Sequence, residues 1–79
     1  MSKPSIEFYN KAIDAVQSGK IQEALAAVEN SLTEDPSDKQ TWQLYAIILN
    51  AAGRTEDAAK ATAKLQEMGI GEADDLLMK

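Results

Sequence analysis

Apolar side chains recur along the chain at steps of three and four residues, the period of an amphipathic α-helix. No stretch alternates β-branched and polar residues between hairpin turn pairs, so strands are not expected. Pro4, Gly19, Pro36, Gly53, Gly69 and Gly71 punctuate the pattern. The segments between the main breaks have ordinary helix length.

The first helix is expected from Ser5 or Ile6 to Gln17, with Ser5 as its N-cap. Ile6, Tyr9, Ile13 and Val16 make one apolar stripe on it, and Phe8, Ala12 and Ala15 make a second. A helix with two apolar faces packs on both, or packs on one and binds on the other. The second helix is expected over 21–33, with Ile21, Leu25, Val28 and Leu32 as its ridge. Ala24 and Ala27 beside that ridge permit close approach of a neighbour. Glu34-Asp35-Pro36 stops it, because the residue before proline avoids the helical region. Ser37 followed by Gln40 reads as a capping box opening the third helix. That helix carries Trp42, Leu44, Tyr45, Ile47, Ile48 and Leu49 and ends at Gly53. The fourth is expected over 55–68, with Ala58, Ala61, Leu65 and Met68 inward, and a short fifth over 72–78.

The chain repeats itself. Gly19-Lys20-Ile21-Gln22-Glu23-Ala24 recurs as Gly53-Arg54-Thr55-Glu56-Asp57-Ala58. The same offset carries Phe8 onto Trp42, Ala12 onto Ala46, Ile13 onto Ile47 and Ala27 onto Ala61. The unit is two helices joined by a glycine turn, with an aromatic near its start and small residues where the helices cross. One such unit leaves an apolar face uncovered and stacks on the next.

This pattern resembles the tetratricopeptide repeat family. The first unit offers Phe8, Ala12, Gly19, Ala24, Val28 and Pro36. The second offers Trp42, Tyr45, Ala46, Leu49, Gly53, Ala58 and Leu65. Lys11, Ala15, Thr62 and Ile70 depart from the family pattern. The resemblance implies an all-α chain of helix-turn-helix repeats forming a short right-handed α-solenoid. It places one repeat over 5–38, a second over 39–72 and a capping helix over 73–79, all in a single domain over 1–79. It also implies a concave groove lined by the first helix of each repeat. Position by position, that groove would present Ile6, Tyr9, Ile13, Val16 and Gln17, then Gln40, Gln43, Leu44, Ile47 and Asn50, with Ala51 beside them. Some members clamp acidic chaperone tails with Lys, Asn and Arg in this groove. Tyr9, Ile13 and Leu44 stand at three of those places, so the resemblance does not extend to that clamp.

Composition narrows the chemistry. The 79 residues contain neither Cys nor His. Disulfides, thiolate zinc sites and histidine-based catalysis are therefore excluded. The carboxylate pairs Glu34-Asp35 and Asp74-Asp75 read as helix-end charge, and Gly69-Ile70-Gly71 reads as a turn. No enzyme, cofactor or metal site is expected. The net charge of −5, with scattered basic residues, points away from nucleic acid and anionic membranes. The absence of a signal-like start and of a long apolar run suggests a cytoplasmic protein. The expected function is protein–protein interaction, as an adaptor or scaffold binding an apolar helix or peptide. The alternative is a self-associating subunit of a larger complex, including a homodimer.

Overall fold

The computed structural model describes residues 2–70. The expected helix over 72–78 lies outside the described residues. Four helices follow in order: α1 (Lys3–Gln17), α2 (Ile21–Glu34), α3 (Lys39–Ala51) and α4 (Thr55–Leu65). A wider π-type turn over Gln66–Ile70 continues α4, where a regular helix to Met68 was expected. No strand occurs among the described residues.

Helix α1 starts earlier than its sequence suggests. Ser2 is the N-cap, and its hydroxyl accepts the Ser5 amide at 3.2 Å. Pro4 fits the first turn, where its fixed φ is already helical and its missing N–H costs nothing. Ser5 therefore lies inside the helix, fully buried. Its hydroxyl lies 3.0 Å from that of Ser31 on α2, whose own proton goes to the Ser5 carbonyl at 2.9 Å. A hydroxyl has one proton, so the Ser5 hydroxyl donates to Ser31.

The two glycine turns are built alike. At the end of α1 the Gly19 amide donates to the Val16 carbonyl and the Lys20 amide to the Ala15 carbonyl. At the end of α3 the Gly53 amide donates to Asn50 and the Arg54 amide to Leu49. Both are Schellman closures, which need a left-handed residue just past the helix. Gly19 and Gly53 supply it, at φ of +75° and +79°. The next helices start at once, as Lys20 and Arg54 carbonyls accept from Ala24 and Ala58. Neither new N-terminus has a side-chain cap. Glu23, Glu56 and Asp57 in the first turns favour the positive end of the helix dipole instead.

Between α2 and α3 the cap also differs from expectation. Asp38, not Ser37, caps α3, accepting the Thr41 amide at 2.9 Å and the Thr41 hydroxyl at 2.6 Å. A carboxylate accepts both without donating, which suits it better than a hydroxyl. Ser37 donates instead to Asp35 at 3.1 Å.

Helix α1 packs on α2, α2 on α3, and α3 on α4. The core is one cluster drawn from all four helices, with Val28, Ile48 and Leu49 fully buried at its centre. Ala12, Ala24, Ala46, Ala58 and Ala61 are buried at the crossings, where larger side chains would hold the helices apart.

Two stability predictions follow from these contacts. Ser31→Ala removes the acceptor of a buried hydroxyl and should cost about 1–3 kcal/mol. Ser5→Ala should cost less, because Ser31 keeps its carbonyl partner; urea unfolding of both variants reads the difference. A Cβ at Gly19 meets nothing within 4 Å, so Gly19→Ala carries only the left-handed backbone penalty. That penalty is about 1–2 kcal/mol, and Gly19→Asn should recover part of it in the same assay.

Candidate functional site

The ten expected groove residues lie on two helices, and none is fully buried. Ile6, Tyr9, Ile13, Val16 and Gln17 are on α1. Gln40, Gln43, Leu44, Ile47 and Asn50 are on α3. Val16 and Leu44 turn partly inward and pack against the core cluster. Tyr9 and Ile13 are half-buried, and the four carboxamides are exposed. Among the described residues, Ile6 and Ile47 are the large apolar side chains left most open, at 43% and 56% exposure.

Helix periodicity sorts the open surface of α1 into two flanks. Ile6, Asn10, Ile13 and Gln17 step by four, three and four residues and share one line. Lys3, Glu7, Lys11 and Asp14 form a separate charged line, at steps of four, four and three. On α3 the exposed residues are Lys39, Gln40, Gln43, Ile47, Asn50 and Ala51. Only the first is charged. Asn10 belongs with this surface although its sequence gives no apolar signal. Its spacing from Ile6 and Gln17 is the feature that identifies it.

The aromatic side chains serve the scaffold beneath. Trp42 is half-buried, and its indole N–H donates to the Pro36 carbonyl at 2.6 Å, tying α3 to the loop before it. Its ring lies 5.9 Å from that of Tyr45, tilted by 57°. The Tyr45 hydroxyl donates to Glu29 on α2 at 3.3 Å. Partial burial, and then the neighbouring Glu29 carboxylate, raise the Tyr45 pKa above its ordinary value. Lys11 sits over the Phe8 ring at 5.7 Å on α1.

Two open depressions occur among the described residues, one away from the uncharged stripes and one that meets the α3 stripe at Asn50. One, of about 340 Å³, is lined by Lys11, Asp14, Ser18, Lys20 and Glu23 near the first glycine turn. The other, of about 360 Å³, follows α4 and includes Asn50, Ala59 and Gln66. No group of three or more His, Cys, Asp or Glu able to hold a metal occurs among the described residues. No helix among them is long and apolar enough to cross a membrane.

Paired antiparallel helices, joined by matched glycine turns and stacked through α2, define a helical-hairpin repeat protein. The tetratricopeptide repeat family model matches residues 15–69, and the chain belongs to that family. No curated protein and no solved structure matches it significantly. Such repeats generally mediate protein–protein interaction and are typically non-catalytic.

The Tyr45 contact makes a pH prediction. A folded-state pKa above the unfolded one means the folded chain holds that proton more tightly. The stability this gives is present below the unfolded value of about 10 and is lost as pH rises through the folded one. Tyr45→Phe should therefore flatten the fall in stability above about pH 10, measured by urea unfolding across that range.

Proposed function

We propose that this chain is a non-catalytic adaptor in the cytoplasm that binds a protein partner on the uncharged stripes of α1 and α3. The partner lays an apolar helix or extended segment across a shared surface. Ile6, Tyr9, Ile13, Val16 and Gln17 contribute from one side. Gln40, Gln43, Leu44, Ile47 and Asn50 contribute from the other. The observation that carries this reading is the exposure of Ile6 and Ile47 beside a core filled largely with alanine. Fully burying a large apolar side chain is worth about 1.5–3 kcal/mol, part of which Ile6 and Ile47 forgo. Leaving two isoleucines open is the arrangement a binding face requires. The net charge of −5 favours a protein partner over nucleic acid or an anionic membrane.

The test is affinity capture from native lysate, read by mass spectrometry, with the chain and its Ile6→Asp/Ile47→Asp variant as baits. Both substituted positions are well exposed, so the variant should melt within about 3 °C of the parent. The parent should retain a protein that the folded variant loses. Identical captures by both baits would rule out this surface.

A further inference from the structure

We infer that the chain pairs with a second copy of itself through the groove between α3 and α4, around a two-fold axis that runs along that hairpin. The groove shares only Asn50 with the proposed partner surface, and the inference does not rest on that surface.

The two open depressions are the two ends of the helix stack. The groove of about 360 Å³ is lined by Asn50, Thr55, Ala59, Thr62 and Gln66, among others. The repeat offset carries these positions back onto Val16, Ile21, Leu25, Val28 and Leu32. Those five are buried or pack on the core cluster, at the junction where α3 covers the first hairpin. In the second hairpin the same junction stands open among the described residues. The depression near the first glycine turn is the other half of the junction. Lys11, Asp14 and Ala15 line it, and the offset carries them forward onto Tyr45, Ile48 and Leu49. Ile48 and Leu49 are fully buried. A copy stacked head to tail would therefore bury the Lys11 and Asp14 charges against an uncharged groove that offers no counter-charge. That closes the route to a filament. Pairing of two like ends is isologous and stops at a dimer.

Charge also selects a second copy as the occupant. Two charges border the groove, and each stands at the unfavourable end of a helix. Lys39 is the first residue of α3, where the helix dipole is positive. Glu67 lies just past the end of α4, where the dipole is negative. The two helices are antiparallel, so both charges sit at one end of the hairpin. Neither makes an ion pair with another described residue. A two-fold axis along the hairpin lays α3 of one copy on α4 of the other. Lys39 then faces the partner's Glu67, and the contact is made twice. Each charge meets its opposite beside the helix end that disfavours it. The stretch 21–38 holds Glu23, Glu29, Glu34, Asp35 and Asp38 and no Lys or Arg, so it carries the whole net charge of −5. Repulsion between copies opposes approach through α2 and leaves the α3–α4 groove as the side on which they meet.

The test is sedimentation equilibrium of the full chain at concentrations up to about 1 mM. It should show monomer and dimer and nothing larger. Lys39→Glu and Glu67→Lys each set like charges against each other at both contacts, and each should weaken the dimer about fivefold or more. Both variants should fold, since each puts the favoured sign of charge at its helix end. Mixing the two variants restores both pairs and should recover the parent's affinity to within about twofold. The double variant Lys39→Glu/Glu67→Lys should do the same alone. Ile6→Asp/Ile47→Asp should dimerise as the parent does.

A chain that stays monomeric throughout overturns the inference and leaves the groove to another occupant. Growth beyond a dimer overturns it in favour of head-to-tail stacking. Single variants that dimerise like the parent, or a mixture that recovers nothing, overturn the pairing of α3 on α4. Loss of the dimer in Ile6→Asp/Ile47→Asp would put the second copy on the α1 and α3 stripes and overturn the inference while leaving those stripes in use.

Discussion

Helix α2 packs on two neighbours at once, and the rest of the molecule depends on that double contact. A hairpin of two short helices is below the size at which a hydrophobic core sustains itself. Joined through α2, the two hairpins share one cluster running from Ala12 to Ala61. The helix shows its two roles in its polar contacts as well. Ser31 engages Ser5 on α1, and Glu29 engages Tyr45 on α3. The buried serine pair is directional where apolar packing is not, so it fixes how α1 lies along α2. The alanines at the crossings then let the backbones approach closely enough for the few large side chains to fill the centre.

That packing determines what is left outside. Helix α3 is held from both sides, by α2 and by α4, and only a narrow strip of it reaches the surface. Helix α1 has one packing partner among the main contacts and keeps a wider surface, divided between a charged and an uncharged flank. The matched glycine turns restart α2 and α4 immediately. There is no loop to fold back over the stripes from either turn.

Much of the architecture is legible in the sequence because its cause is local. Three-and-four spacing marks each helix, and glycine is read correctly at Gly19 and Gly53 because a left-handed residue is needed there. The misassigned caps have a physical explanation too. Ser2 and Ser5 are equivalent by residue type, and Ser37 and Asp38 are both common cap formers. At α1 the choice depends on tertiary burial, and at α3 on the acceptor chemistry of the side chain. Ser5 is taken by Ser31, a residue distant in sequence. Asp38 captures two donors of Thr41, three residues ahead, which a carboxylate accepts together and a serine hydroxyl at 37 does not reach. The candidate surface is legible at Ile6, Ile13 and Ile47, where apolar spacing continues on a second face. Asn10 escapes that logic, since its membership is a matter of position and not of hydrophobicity.

The same surface answers a colloidal problem. Exposed isoleucines invite self-association, and charged neighbours are the common protection against it. On α3 that protection is missing beyond Lys39; carboxamides stand where charges would serve solubility equally well. The net charge of −5 keeps copies apart at long range, and this leaves the short-range chemistry of the face free for another purpose. A ring of charges would reject a neutral segment by forcing its own desolvation. Carboxamides give up their water at lower cost and regain a hydrogen bond from any peptide group placed against them. Distant repulsion between like-charged copies and a contact zone of low desolvation cost are thus separate features, the first set by the whole chain and the second by the exposed strip of α3.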